Sequence, residues 1–256
     1  MARSPRPVLI ALALALSGAP AWAAPAAAPF SQEQLFREWS GGLWENMHRI
    51  SIEQFETVVL PLTPEWQKKK EEQIRNRAEG RQVFTSDSRC IPAGMPRMML
   101  NASFEVLVRP NSIALVTGGG GMQIRNIWTD GRKHTPVDDL FETFSGESIG
   151  TWEGDTLVVT TIGLRPTNEI LYGVQGHAMT VTERFRKTGP DVLEVKTTVE
   201  DPVVFTTPWS FTTNYKRRMG GAITENNYCV AALDRSVNLQ GVEVMDLTPP
   251  PDPRGK

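Results

Sequence analysis

The chain has 256 residues, a formal net charge of −2 and a charged fraction of 22%. That length suits one globular domain with accessories, or two small domains. Nothing in this balance suggests a nucleic-acid binder, since there is no basic surplus and the longest charged run, Lys68 to Glu72, mixes signs as KKKEE.

The first 23 residues read as a secretory signal peptide. Arg3 and Arg6 make a basic start, Val8 to Leu16 (VLIALALAL) an apolar run too short for a bilayer, and Ala21-Trp22-Ala23 a small-residue cleavage site. Cleavage after Ala23 predicts a periplasmic or secreted protein. No later run approaches the ~20 apolar residues of a membrane span, so no integral membrane segment is expected after cleavage. Export also colours the two cysteines, Cys90 and Cys229. An even count in an oxidising compartment favours a structural disulfide over a reactive thiol.

Residues 24–100 read as a linker and an N-terminal helical segment. After the Ala/Pro linker, SQEQLFREW predicts a helix, with Ser31 as cap and Gln34 three residues on. A second helix has Thr63 as cap, Pro64 at its first position and Glu65 at the positive end of the dipole, and it stops at Gly80. Its apolar side chains are few (Trp66, Ile74, Ala78), which predicts a strap on a surface rather than a core helix.

From about Ser103 the apolar period changes to two. Short strands are predicted at SFEVLV, SIALVT, MQIRNIWT, SIGTW, TLVVTTIG, AMTVTERFRK, VLEVKTTV, VVFTTPWSFTTNYK and AITENNYCV. The breaks carry turn chemistry, as at Asp130-Gly131, Gly154-Asp155 and Gly189-Pro190-Asp191. Such a chain forms a sandwich or a barrel. Hairpin-length connections favour a mainly β fold, an antiparallel up-and-down, lipocalin-like β-barrel over residues 101–231 with the N-terminal helical segment outside it. The glycines at 118–121 open a strand and not a helix, so they are no phosphate loop. Residues 232–256 end in TPPPDPRGK and are expected to be disordered. A Cys90–Cys229 bond would then pin the segment before the barrel to its last strand.

Five motifs occur together: PLTPEW, CIPAGMPRMM, IWTDGRKH, SIGTWEGDTLVV and HAMTVTERFR. The combination resembles a widespread family of uncharacterised exported bacterial proteins over most of residues 60 to 230. The resemblance implies an exported single-barrel architecture and transfers no catalytic role. The likeness to lipocalins is architectural only.

The candidate chemical groups fall on the inward faces. In HAMTVTERFRK, His177, Met179, Val181, Glu183 and Phe185 alternate with Ala178, Thr180, Thr182, Arg184 and Arg186, so Glu183 and His177 are expected inside. In MQIRNIWTD the more apolar set is Met122, Ile124, Asn126, Trp128 and Asp130, expected inside. Arg125 falls on the other face and would pair with Glu183 only if that parity were reversed. Phe205, Trp209, Phe211 and Tyr215 complete a large aromatic interior. A buried carboxylate is most simply a paired structural one. Its functional alternative is a general acid or base. His134 reads as a loop residue ranked below His177.

No metal spacing, nucleophile elbow or nucleotide fingerprint occurs, so no cofactor is expected. The favoured function is binding of a small hydrophobic or aromatic ligand in the barrel interior. There Asn126, Trp128, Phe205, Trp209, Phe211 and Tyr215 would form the pocket. The alternative is a cofactor-independent lyase, dehydratase or isomerase in which Glu183, His177 or Asp130 moves protons. A third reading is an envelope protein with a filled barrel and no ligand.

Overall fold

The computed structural model describes residues 32–81, 86, 91–118, 122–223, 235–237 and 243–245. The signal segment, Ser31, both cysteines of the expected disulfide and most of AITENNYCV lie outside them. Ala222 and Ile223 of that expected strand are described and are not in a strand.

The chain order is α1 (Gln32–Trp39), β1 (Leu43–Asn46), α2 (Ile52–Thr57), α3 (Pro64–Ala78) and α4 (Arg97–Asn101), then β2 (Phe104–Arg109), β3 (Ser112–Thr117) and β4 (Gln123–Trp128). β5 (Glu147–Glu153), β6 (Thr156–Ile162), the short hairpin β7 (Glu169–Leu171) and β8 (Val174–Gln175), β9 (Thr180–Gly189), β10 (Val192–Glu200) and β11 (Trp209–Arg218) follow. β12 (Arg235–Val237) and β13 (Glu243–Met245) pair with each other, so these residues of the 232–256 tail are ordered strands and not the disordered segment expected from its composition.

The expected barrel is present and closed, in the order β1-β11-β10-β9-β6-β5-β4-β3-β2. Its closing strand, β1, comes from upstream of residue 101 and pairs with both β11 and β2. Every neighbouring pair is antiparallel except β4–β5, which is parallel and pairs only at Ile127 with Ser148 and Trp128 with Ile149. The reason lies in the connection. A hairpin forces antiparallel pairing, whereas the long excursion from Thr129 to Gly146 carries the chain back to β4's starting end before β5 begins. One seam of the wall is therefore barely zipped.

The interior is packed. Phe104, Val106, Ile113, Leu115, Leu157, Val159, Val181, Phe185, Leu193, Val195 and Tyr215 are all buried in one apolar cluster. The short α4 adds Met98, Met99 and Leu100 to it. Tyr215 Oη donates to Met99 O at 2.6 Å and Asn46 Nδ2 to Leu100 O at 2.7 Å, which seats α4 against β11 and β1. Burial, and secondly the nearby Glu183 charge, push the Tyr215 hydroxyl far above the ordinary phenol range.

The strap forms as expected, with Pro64 at its start and the chain leaving through Gly80 at positive φ. Thr63 does not cap through its side chain, because its hydroxyl donates to Val203 O instead. Trp66 and Lys70 are buried beneath the helix. Lys70 donates to Val58 O at 2.6 Å, and its pKa is lowered by burial. Leu62 bridges to Phe205, which ties the strap to the turn before β11. No helix among the described residues is long and apolar enough to cross a membrane.

Candidate functional site

Glu183 points into the barrel, as its alternation predicts, and is fully buried. The rest of the expected acid–base pair does not assemble. His177 precedes β9, is exposed, and offers its backbone N–H to Asp201 at 2.6 Å. The pleat that carries Glu183 inward does not extend back to His177, because Asp201 captures the amides of both His177 and Ala178 and turns the chain away.

The face assigned to β4 is reversed. Gln123, Arg125 and Ile127 are buried, whereas Asn126 is exposed and bonded to Arg109, and Trp128 is half-buried beneath the Arg132 guanidinium. Asp130 is an exposed partner of Arg132, whose hydrogen bonds hold its carboxyl below the ordinary range. Asn126, Trp128 and Asp130 are thus corrected to the outside. The physical reason is Glu183, since a carboxylate removed from water requires a cation. Arg125 supplies it. Its Nη1 donates to Glu183 Oε1 at 3.0 Å and its Nη2 to Oε2, while Nε reaches Ser148 Oγ at 3.0 Å and Nη2 also reaches Thr161 Oγ1 at 2.9 Å. Four strands meet in this network, with both charged side chains at 0% exposure. Glu183 therefore takes the structural role, and Arg125 rather than an aromatic ligand occupies the space beside it.

The expected aromatic residues divide as well. Phe205, Trp209 and Phe211 stack in series, with ring centroids 6.0 and 4.9 Å apart, where the strap meets the turn before β11. Tyr215 packs on Phe104 in the core, with ring centroids 4.7 Å apart. Neither group shares a pocket with Asn126 and Trp128.

Those two residues line a groove of about 620 Å³ along the open part of the β4–β5 seam. Met122, Ile124, Trp128, Phe141 and Phe144 supply its apolar surface, while Gln123 and Ser148 are its most buried members. The far wall is the 140–146 segment, and it is firmly held. Phe144 O accepts from Met95 N at 2.9 Å and Asn168 Nδ2 at 2.7 Å, and Thr143 bridges to Leu164. Gly94 allows this approach. Its φ is +63°, and a Cβ there would lie 2.6 Å from Phe144 O.

Thr135, Asp139 and Glu147 also line the groove. Burial raises the Glu147 carboxyl, but bonds from the Thr135 hydroxyl and amide and from His134 outweigh it, leaving the carboxyl below its ordinary range. His134 Nδ1 lies 2.9 Å from Glu147 Oε1, and its Nε2 is shielded from water without a partner. A Glu/His pair therefore exists, formed by His134, a loop residue as expected, and Glu147 at the start of β5. His134 ends the motif IWTDGRKH and Glu147 immediately precedes SIGTWEGD, and these two motifs flank the long excursion. Among the described residues, no three His, Cys, Asp or Glu side chains converge to hold a metal ion. No protein-family model matches the chain, and no curated protein matches it.

Proposed function

We propose that the protein is an exported barrel that binds a small, largely apolar or aromatic molecule, and that it does so in the lateral seam groove rather than in its interior. One observation carries the reading. Met122, Ile124 and Phe141 are 61%, 55% and 79% exposed and line the same concave surface, whose volume falls in the range of small-molecule sites. The packed interior and the Arg125–Glu183 pair argue against the barrel lumen as the site. Export is supported by the signal-like segment and by the five-motif resemblance.

The test is titration with Nile red, a neutral dye whose emission rises in apolar surroundings. Wild type should saturate with a blue shift. The double replacement Ile124→Ser and Phe141→Ser, at exposed positions that leave the core intact, should weaken binding roughly tenfold or more from lost apolar contact. Unchanged binding in the double variant would place the ligand elsewhere.

A cofactor-independent proton-transfer enzyme is the second reading. Glu147 favours it, since it lines the groove with its carboxyl held below the ordinary range by bonds to Thr135 and His134 and is thus an ionised proton acceptor. Proton exchange at carbon in a bound ketone, followed in deuterium oxide, should then vanish in Glu147→Gln while binding persists.

A further inference from the structure

We infer that the seam groove takes a short, extended peptide with apolar side chains and no net negative charge, which adds as a strand to the free edge of β4. The inference rests on the proposed binding function and names its ligand class.

The pairing of the barrel fixes which backbone groups of β4 face the seam. β2 and β3 are joined at Pro110-Asn111, between the paired Arg109 and Ser112. Thr129 N–H donates to Asn111 O at 3.0 Å, in register with the β3–β4 ladder. Backbone groups alternate sides along a strand. Gln123, Arg125 and Ile127 therefore bond to β3, while Ile124, Asn126 and Trp128 present theirs to β5. The two parallel bridges use only the Asn126 C=O and the Trp128 groups. Beyond them the strands part, because Gly146 turns at a φ of +66° and gives its N–H to Thr143 Oγ1 at 2.8 Å. The Ile124 N–H and C=O and the Asn126 N–H are left without a partner among the described residues. Both residues are exposed and line the groove.

An unpaired edge of this kind is a template for another strand. Barrel closure ordinarily removes such edges, but here the gap is held open. The adjacent amides of Gly94 and Met95 donate to Gln123 Oε1 and to Phe144 O, each at 2.9 Å, so β4 and the far wall are fixed to one short segment. Gln123 faces inward, so that segment lies beneath the slot and leaves its outer side open. A ligand without a peptide backbone would fill the space and leave the edge unmet. An extended peptide supplies donors and acceptors at strand spacing and sets alternate side chains against Ile124, Trp128, Phe141 and Phe144. The rim selects the charge. Asp130, Asp138, Asp139, Glu142 and Glu147 outnumber the cations beside the slot, which are Lys133, Arg165 over Phe144, and Arg132, itself over Trp128 and bonded to Asp130. A neutral or cationic strand fits that balance and an acidic one does not.

Three probes separate the outcomes: the blocked peptide acetyl-VIVK-amide, the same peptide N-methylated at every backbone amide, and 2-acetonaphthone, an aromatic body with no strand edge. Each is titrated into the isotope-labelled intact chain, and exchange of the Ile124 and Asn126 amide protons with water is followed in nitrogen–proton spectra. At saturation the peptide should slow both amides about tenfold or more. It should bind roughly tenfold more tightly than its N-methylated form, the advantage of two or more backbone hydrogen bonds. 2-Acetonaphthone should shift the Ile124 signal without comparable slowing. Ile124→Pro deletes an edge donor and no bond to β3. It should bind the peptide roughly fivefold more weakly than Ile124→Ala does, the loss of one hydrogen bond, with the two variants alike towards 2-acetonaphthone. Equal affinity of the two peptides, equal affinity of the two variants for the peptide, or unslowed amides would overturn the inference. So would slow exchange already in the free protein, because the edge would then be covered by the chain itself or by a second copy. Saturable binding of 2-acetonaphthone would in each case leave the groove as a binding site. If no probe perturbs the groove residues, the binding function itself fails.

Discussion

Replacing Glu183 by Gln keeps the side chain's shape and removes its charge. In the folded protein the Arg125 guanidinium would then sit at 0% exposure with only Ser148, Thr161 and one amide oxygen facing it. The amide NH2 would oppose one of the two guanidinium nitrogens that now donate to carboxylate oxygens. Breaking a fully buried pair by removing one partner typically costs about 3–5 kcal/mol. For a domain of this size that is a fall in Tm of roughly 6–20 °C. Urea unfolding followed by far-ultraviolet circular dichroism measures it. The companion variant, Arg125→Met with Glu183→Leu, removes both charges. Ser148 and Thr161 remain satisfied, since their hydroxyls lie 2.8 Å apart and bond to each other. That double variant should recover most of the loss, because well-packed apolar replacements of buried pairs are often neutral. A loss under about 1 kcal/mol for Glu183→Gln would refute the reasoning, since it would mean that water or another anion reaches the guanidinium.

Other consequences are accessible to simple assays. Gly94→Ala places a Cβ 2.6 Å from Phe144 O at a φ of +63°. It should destabilise by about 2–4 kcal/mol in urea and weaken Nile red binding in parallel, because the groove wall hangs on that segment. Glu147 has a carboxyl held below its ordinary value of 4.5, so its contribution is present above that value and is lost as pH falls through the folded-state value. Glu147→Gln should therefore flatten the acid limb of the stability curve below about pH 4.5 and leave its slope near pH 7 unchanged. Mass spectrometry of periplasmic protein should give a chain beginning at Ala24 with no alkylatable thiol before reduction. Two reactive cysteines would remove the disulfide.

The barrel was legible because alternation and turn chemistry agree along β2, β3, β6, β9 and β10. Two helices were legible from their starts and stops. β4 was not, and the failure is instructive. Ile124, and Met122 just before the strand, face out into the groove, and the polar Gln123 and Arg125 face in, so the usual rule of apolar-inward runs backwards there. Glu183 contained the correction. A carboxylate placed inside by the alternation of β9 demands an inward cation, and Arg125 is reached by reversing one strand. The parallel β4–β5 seam was hidden for a different reason, since register across a long excursion is a tertiary property with no local code. The His134–Glu147 pair depends on that register, so it was hidden as well. His177 was misplaced because the pleat was extended past the start of β9, where Asp201 takes over the backbone.

The central claim is that ligand sits in the seam groove and not in the lumen, and isoleucine side chains report on both places. Ile124 is 55% exposed in the groove, while Ile113 is 1% exposed in the core. With isoleucine methyl groups labelled with carbon-13, a titration with 2-acetonaphthone should move the Ile124 methyl signal in a saturable manner and leave that of Ile113 in place. Saturable movement of Ile113 with Ile124 unmoved would put the ligand inside the barrel and contradict the account.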